Sequence, residues 1–424
     1  MAQQQIDLSK IEIDGIDLKG DLSGISTEQL FEMREHAYQI SAVHCSMQVT
    51  LKTCRNSMYG ATSNKHYAFC NIEVAEDITA EGRFYIHTGE RLINDYLHNK
   101  WHLDYELHDK IRKHELFKDE VDQNCVIEQL PDKDRVLYID TDSIYVEFED
   151  LLESLHYHGS HWCDLIVFLN EERLAKMFDD GLTSIVNQRH GKSVLLFDLE
   201  TIADTAIFMA KKKYVQCIQW QDGRMFDDPL QHIKGKGIEL IQTGSSQLVR
   251  DMLKYGYQAI LGNRLTNAIE YKRLIQKLWK RFEREDNIEL LCAYVNAGKF
   301  KEYVLDDVNE VRMAPRCLPQ YRGAALHNYL VRKHKLMTKY KFIENGRMYW
   351  YMIDKNKALL DEQFAWDAFA FNPAEYPEEF AKLIPMDKMY QFFKLVVSPL
   401  ERIASLTGIN TADPLGHEVL PSLI

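Results

Sequence analysis

An α+β architecture, mostly helical with short antiparallel strands near its middle, is what this sequence predicts, and three observations carry the prediction. A helical pattern runs without a breaker from Ser26 to Met58. Two β-rich runs, Arg135-Val136-Leu137-Tyr138-Ile139 and Ile144-Tyr145-Val146-Glu147-Phe148, flank a four-residue polar turn, which is a hairpin signal. Beyond about residue 240 the pattern becomes mostly helical again.

Taken in order, residues 1–25 are polar and acidic with Gly15, Gly20 and Gly24 among them, and read as an extension that orders only against something else. Ser26-Thr27-Glu28-Gln29 is a helix start. The helix it opens far exceeds the average of ~12 residues, and such helices project from a domain or pair with another helix. Its first following glycine is Gly60. A second helical stretch, from 65 to about 97, ends in Arg91-Leu92-Ile93-Asn94-Asp95-Tyr96-Leu97. After the hairpin, Val194-Leu195-Leu196-Phe197 and Tyr214-Val215-Gln216-Cys217-Ile218 read as strands. Basic helices follow at 265–285 and 324–341, with a closing helix near 386–406.

At ~150 residues per domain, 424 residues make about three domains. Fifty-one Lys and Arg against 64 Asp and Glu leave a net charge of −13, so this is no polybasic coat for nucleic acid, although net charge says nothing of local patches. No apolar run approaches the ~20 residues of a membrane span. Met1-Ala2-Gln3-Gln4-Gln5 lacks the basic start and apolar core of a secretory signal. Cys45, Cys54, Cys70, Cys125, Cys163, Cys217, Cys292 and Cys317 form no Cys-x-x-Cys pair, which argues against a zinc ribbon and a disulfide framework and fits reduced thiols in a cytoplasm.

Three segments carry chemistry. In Tyr138-Ile139-Asp140-Thr141-Asp142-Ser143 two carboxylates stand two residues apart at a turn and repel unless a cation lies between them. Hard divalent ions such as Mg²⁺ take such oxygen ligands together with phosphate oxygens. The bland alternative is a turn rich in Asp and Ser. In Lys52-Thr53-Cys54-Arg55-Asn56-Ser57-Met58-Tyr59-Gly60, residues Lys52, Asn56 and Tyr59 share one helix face, suited to a phosphate, a sugar and a base. A solvated face with a snorkelling lysine is its alternative. Lys211-Lys212-Lys213-Tyr214 opens a β-rich run with three cations, of the kind that phosphate backbones favour; the alternative is a charged strand edge that discourages aggregation.

In this order the segments resemble three signatures of family B DNA polymerases, and more closely the C-terminal half of the replicative polymerases of large tailed (T-even-like) phages. The similarity runs from about residue 40 to 405. It takes in Ser160-His161-Trp162, Gly237-Ile238-Glu239, Cys317-Leu318-Pro319-Gln320-Tyr321-Arg322-Gly323 and Ser398-Pro399-Leu400-Glu401. The resemblance implies a fragment of a right-hand polymerase: an extension over 1–25, the C-terminal part of the fingers over 26–64, a palm over 65–238, a thumb over 239–405 and a tail over 406–424. It implies that Lys52 contacts the triphosphate of the incoming deoxynucleotide with Asn56 beside it, and that Ser57, Tyr59 and Gly60 line the pocket of the nascent base pair. Asp142 would bridge two Mg²⁺ ions (Mn²⁺ being the alternative), Asp140 would assist, and Glu200 would be an outer acid. Lys211, Lys212, Lys213 and Tyr214 would follow the primer-template minor groove, and Arg322 would hold DNA backbone. The implied reaction is in-line attack of a primer 3′-hydroxyl on the α-phosphate.

The chain departs from that pattern at Ile139, where the family usually has Gly, at Gln242, where it has a basic residue, and at Ser246, where it has Pro. The family's other metal aspartate, in an Asp-x-x-Ser-Leu-Tyr-Pro-Ser segment, is not in these residues, nor are the basic residues of the first fingers helix or a proofreading domain. The expectation is therefore the C-terminal subunit of a split polymerase, inactive without an N-terminal chain that supplies the missing aspartate and the exonuclease domain.

Two lookalikes are set aside. Phe197-Asp198-Leu199-Glu200-Thr201 resembles a proofreading motif, but its companion acids at Asp227 and Asp307 lack the right context. His156, His158, His161 and Cys163 have zinc-ligand chemistry, but Ser160 reads better as the N-cap of a helix. Lys272, Arg273, Lys277, Lys280, Arg281 and Arg284 on one helix, and Arg332, Lys333, Lys335, Lys339 and Lys341 on another, mark where DNA lies. The apolar tail His417–Ile424 suggests docking on a sliding clamp, although it lacks the aromatic pair of related tails. The other functions weighed are a non-catalytic DNA-binding or assembly subunit of a replisome and an Asp-x-Asp glycosyltransferase. The implied location is the cytoplasm of a phage-infected bacterium.

Overall fold

A computed structural model describes residues 26–190, 195–228, 232–238, 244–262, 265–306, 311–314, 316–360, 367–412 and 414–415. The extension over 1–25, Val194, Glu239, Gln242, Asp307 and the tail from 416 lie outside the described residues. The chain is of the α+β class and divides into two compact units. The first holds the described residues to Arg91 together with Thr141–Ser143; the second holds the remainder.

In the first unit, helix α1 spans Thr27–Ser63, 37 residues. Ser26 caps it reciprocally: its hydroxyl oxygen accepts the Gln29 N–H at 3.2 Å, and the Gln29 side chain accepts the Ser26 N–H at 3.0 Å. The helix runs through Gly60, whose missing Cβ would meet nothing within 4 Å. No residue of α1 is buried. Leu30, Met33, Ala37, Ile40, His44, Met47, Leu51, Cys54, Met58 and Ala61 nevertheless follow an alternating spacing of three and four, apolar except for His44. That is the seam by which one helix packs on another. Helix α2 follows over Ile72–Asp95.

The second unit continues with α3 (Tyr105–Lys113), strands β1 (Val136–Asp140) and β2 (Ser143–Val146), and helices α4 (Glu149–Ser154), α5 (Trp162–Leu169) and α6 (Ala175–His190). The expected strand at 194–197 is not formed over its described residues. Leu195 and Leu196 are exposed, and Phe197 is held by stacking on Phe178 and by the cluster around Leu97 rather than by pairing with another strand. Pairing begins instead at β3 (Thr201–Ala210), which joins β4 (Lys213–Gln221) with Ala210 opposite Lys213. β4 also pairs with β5 (Arg224–Met225) and with β6 (Ile233–Lys236), where Tyr214 stands opposite Lys236.

Next come α7 (Gln247–Leu261), α8 (Ala268–Glu283), α9 (Ile288–Leu291), β7 (Ala293–Ala297), α10 (Phe300–Tyr303), β8 (Val304–Asp306) and β9 (Val311–Met313). The chain closes with α11 (Pro319–Lys333), β10 (Gly346–Met352), β11 (Ala368–Phe371), α12 (Lys388–Phe392) and α13 (Ser398–Ala404). The helix expected to reach 341 stops at Lys333, because the chain turns through Lys335 in the left-handed region at φ 56°. Three apolar clusters hold the unit. One gathers Leu97, Trp101, Ile111 and Leu165; a second joins β4 to α7, α8 and α13 through Val215, Leu253, Ile275 and Leu400; the third packs α11 on β10 and β11 through Ala324, Tyr351 and Phe369.

The histidine-rich segment before α5 is organised by a carboxylate. Ser160 is not the N-cap; His161 is, and its side chain caps nothing. Glu120 accepts the backbone N–H groups of Ser160 and His161, each at 3.1 Å, the His161 ring nitrogen Nδ1 at 2.6 Å, and the Tyr157 hydroxyl. Gly159 is required because a Cβ there would stand 1.9 Å from the Glu120 Cδ. Burial pushes the Glu120 carboxyl up, but the bonds from Tyr157 and His161 outweigh it and hold it down at about 2. A depressed carboxylate stabilises the fold fully above its unfolded value of 4.5, and that contribution disappears as pH falls toward 2. Glu120→Ala should cost about 2–3 kcal/mol, since it orphans several donors. In urea unfolding followed by circular dichroism, the wild-type advantage should shrink between pH 4.5 and 2; an advantage constant over that range would contradict the assignment.

A candidate catalytic hairpin and its lysine turn

The hairpin tip is shorter than its sequence suggests: β1 ends at Asp140 and β2 begins at Ser143, so Thr141 and Asp142 alone make the turn. Thr141 adopts φ 62°, a left-handed conformation that a β-branched residue rarely takes. Such strain costs of order 1–3 kcal/mol and collects at functional sites. Ile139, in the place of the expected glycine, packs half-buried against the cluster around Leu97 and is absorbed by the core rather than the turn.

The two aspartates live in different surroundings. Asp142 is exposed, whereas Asp140 is 4% exposed. Lys236 at the end of β6 places its ammonium directly on Asp140 Oδ2, and the Lys212 Nζ stands 3.8 Å from Oδ1. The Asp140 carboxylate in turn raises the Lys236 pKa through that hydrogen bond.

Lys211 and Lys212 form the two-residue turn between β3 and β4, with Lys212 at φ 59°. Gly237 follows at φ 66°, and a Cβ there would lie 2.2 Å from the Lys212 carbonyl oxygen, so glycine lets β6 approach the turn. The Lys212 backbone N–H donates to the Tyr138 hydroxyl oxygen at 2.6 Å, which ties the lysine turn to β1. Tyr138, Tyr145, Phe208 and Tyr214 form one aromatic cluster, with ring centroids 5.2–5.8 Å apart. The Tyr145 and Tyr214 hydroxyls share a hydrogen bond of 2.8 Å. Burial, the bond to Tyr145 and the charge of Asp140 together push the Tyr214 hydroxyl well above its ordinary value.

The structure thus brings together Asp140, Lys212 and Tyr214 from the sequence-derived set and adds Tyr138, Tyr145, Phe208 and Lys236. Two signals pointed that way: Tyr138 and Asp140 at a spacing of two share a strand face, and Lys234-Gly235-Lys236-Gly237 alternates cation with glycine. Glu200 does not join them. It precedes β3, with its backbone oxygen accepting from Asp222 N–H at 3.1 Å, and the lysine turn follows the other end of that strand. Ten extended residues place the two roughly 30 Å apart. Arg322 is engaged inside its own fold: Nε and Nη2 donate to the Asp367 carboxylate at 2.7 and 2.6 Å, and Nη1 to the Cys317 carbonyl oxygen. The segment around it starts a helix, with Pro319 in the first turn and Gly323 against the backbone of Phe369, where a Cβ would come within 2.7 Å.

Lys52, Asn56, Ser57, Tyr59 and Gly60 are all exposed on α1, and Lys52, Asn56 and Tyr59 lie on the side of the helix away from the Leu51–Cys54–Met58 seam. No ion pair engages Lys52 or Asp142 among the described residues.

Residues 31–156, which contain both the Lys52–Gly60 face and the Asp140–Ser143 turn, match the family model described as DNA polymerase family B. More particularly, it is similar to the DNA-directed DNA polymerases of two phages. It is 23% identical to that of Escherichia phage RB69 over 426 aligned residues, covering 96% of this chain and 41% of the relative. It is 23% identical to that of Enterobacteria phage T4 over 282, covering 63% of this chain and 27% of the relative. The chain therefore spans less than half the length of either.

If Lys236 compensates Asp140, Lys236→Met and Asp140→Asn should each lower stability by about 1–2 kcal/mol. Their combination should cost less than the sum, because the second change then removes a partner already lost. Strict additivity in urea unfolding would show that the pair is not coupled.

Proposed function

We propose that this chain carries the last fingers helix (26–64), the palm (65–238) and the thumb (239–405) of a DNA-directed DNA polymerase, which adds deoxynucleotides to a primer 3′-hydroxyl on a template. The observation that supports this most is the strained turn carrying Asp142, joined through Tyr138 to a turn of consecutive lysines. Kinship with phage DNA polymerases supports it independently.

In this reading each residue has a defined task. Lys52 neutralises the triphosphate of the incoming nucleotide and Asn56 orients it; Ser57, Tyr59 and Gly60 shape the surface on which the new base pair forms. Lys211, Lys212, Lys213 and Tyr214 hold primer and template, with the tyrosine cluster fixing the turn so that little ordering is needed when DNA arrives. Arg322, oriented by Asp367, holds DNA backbone from the thumb. Asp140 positions Lys236 and Lys212.

Asp142, exposed and without an ion pair among the described residues, suits a magnesium ligand, whereas the Asp140 oxygens face ammonium groups. The described residues hold no cluster of three or more metal-ligating side chains. They fit one carboxylate's share of a metal site, with Glu200 as the outer acid of the same reading. Bound there, magnesium would supply positive charge to the reacting phosphate. The second acid, with the proofreading domain, comes in this reading from polypeptide outside these 424 residues, which contain no Asp-x-x-Ser-Leu-Tyr-Pro-Ser segment. Its natural setting would be the cytoplasm of a phage-infected bacterium; no helix among the described residues is long and apolar enough to cross a membrane. The tail over 406–424 docks on a sliding clamp in the same reading, and deletion of 417–424 should then abolish clamp-stimulated processivity.

Pairing of Asp140 with Lys236 favours a second reading, a non-catalytic DNA-binding subunit. Primer extension separates the two. The chain should extend a primed template only when a polypeptide bearing the missing aspartate segment is present, Asp142→Ala should lower the rate at least a thousandfold, and Lys52→Ala should raise the nucleotide KM about tenfold or more. Binding of primed DNA without extension in the mixture would establish the second reading instead.

A further inference from the structure

We propose that the exposed face of α8 is a track for the phosphate backbone of single-stranded DNA, distinct from the Lys211–Lys213 turn. The proposal rests on reading the chain as one that handles DNA, and goes beyond that reading in assigning a second surface and the form of DNA it takes.

α8 is fixed in rotation by Tyr271, Leu274, Ile275, Leu278 and Phe282, all buried in the cluster that α7 and α13 share. The opposite face therefore always presents Arg273, Lys277, Lys280, Arg281 and Arg284, which are exposed. Eleven residues at 1.5 Å each spread them over about 16 Å. They line an open bowl of about 620 Å³ in which the sole carboxylate is Glu285.

A solvated helix face is the ordinary explanation of a charge run, but such faces mix their signs. On α3, Lys110 pairs with Glu106 at 3.0 Å and Glu172 at 2.9 Å, and Lys113 with Asp109 at 2.5 Å. On α8, the ion pair made by these five cations among the described residues is Arg281 with Asp251, at 4.0 Å. Neighbouring cations within a Debye length of ~8 Å repel one another. A chain of net charge −13 that concentrates five cations on one rigid face, against Asp251 beside Arg281 and Glu270 near Arg273, has a polyanion as the natural occupant.

Tyr255 on α7 selects among polyanions. Its hydroxyl accepts from the Lys277 Nζ at 2.8 Å, the same nitrogen stands 4.6 Å from the ring centroid, and the ring remains 41% exposed. An exposed aromatic beside a row of cations is how sequence-tolerant single-strand surfaces are made, phosphates on the cations and a base on the ring. The face offers no apolar seam for a protein helix.

Fluorescence anisotropy of the full chain tests this, with labelled (dT)20 and a labelled primer-template duplex titrated over a series of salt concentrations. One variant carries K277Q, K280Q, R281Q and R284Q; another carries K211Q, K212Q and K213Q; circular dichroism verifies that both fold. The α8 variant should bind (dT)20 at least tenfold more weakly in 100 mM salt, with a salt slope smaller by about 3, four contacts at ~0.7 each. Tyr255→Ala should weaken (dT)20 binding without changing that slope. Unchanged affinity and slope in the α8 variant would overturn the proposal, as would competition by polyglutamate as effective as by unlabelled DNA. Loss of primer-template binding in the turn variant, with the α8 variant like wild type toward (dT)20, would overturn the α8 track and leave the polymerase reading standing. Loss of (dT)20 binding in the α8 variant, with the turn variant like wild type toward both DNAs, would do the reverse.

Discussion

The arrangement of the candidate site depends on one buried carboxylate. Asp140 sits at the end of a strand with 4% of its surface exposed, and a charge so placed must be compensated. Compensation arrives from two directions, Lys236 at the end of β6 and Lys212 in the turn between β3 and β4. Three strands that are distant in sequence are thereby brought to a common end. The tyrosine cluster and the Lys212–Tyr138 hydrogen bond then fix the same junction without charge. Asp142, two residues on, is left outside this network and presented to solvent by a backbone conformation that threonine resists. One aspartate is buried among cations and the other is exposed.

Much of this was legible in the sequence, and the rest was hidden for identifiable reasons. The hairpin, the long helix with its Ser26 cap and the lysine cluster all announce themselves locally, through alternation, capping chemistry and charge. The surroundings of Glu200 and Arg322 are not legible locally because their partners are remote. The length of β3 alone carries Glu200 away from the lysine turn, and no local pattern shows that pairing begins at Thr201 rather than at Leu195. Arg322 meets Asp367, 45 residues later, across the packing of α11 on β11. Lys236 was missed for the opposite reason: its Lys-Gly-Lys-Gly context is suggestive, but its target lies 96 residues earlier. Ion pairs between distant elements are products of topology, which a pattern of residue types does not contain.

Glycine and proline positions show what two motifs do for the fold itself. The segment around Arg322 starts a helix, with Pro319 relieving an unsatisfied N–H and Gly323 admitting the backbone of Phe369. Gly237 likewise serves the carbonyl of Lys212 rather than a ligand. In both places the motif preserves a close approach between backbones, and the charged side chain beside it is free to point inward.

The seam along α1 has a consequence for how the chain lives in a cell. A helix of this length with an apolar stripe and no burial among the described residues offers a surface of the kind that folding intermediates expose, for as long as nothing covers it. Chaperones and proteases recognise such surfaces, so the abundance of this protein would follow the supply of whatever covers the stripe rather than its own rate of synthesis. Quality control would then act as a ratio meter, removing uncovered copies and leaving the covered ones in fixed proportion.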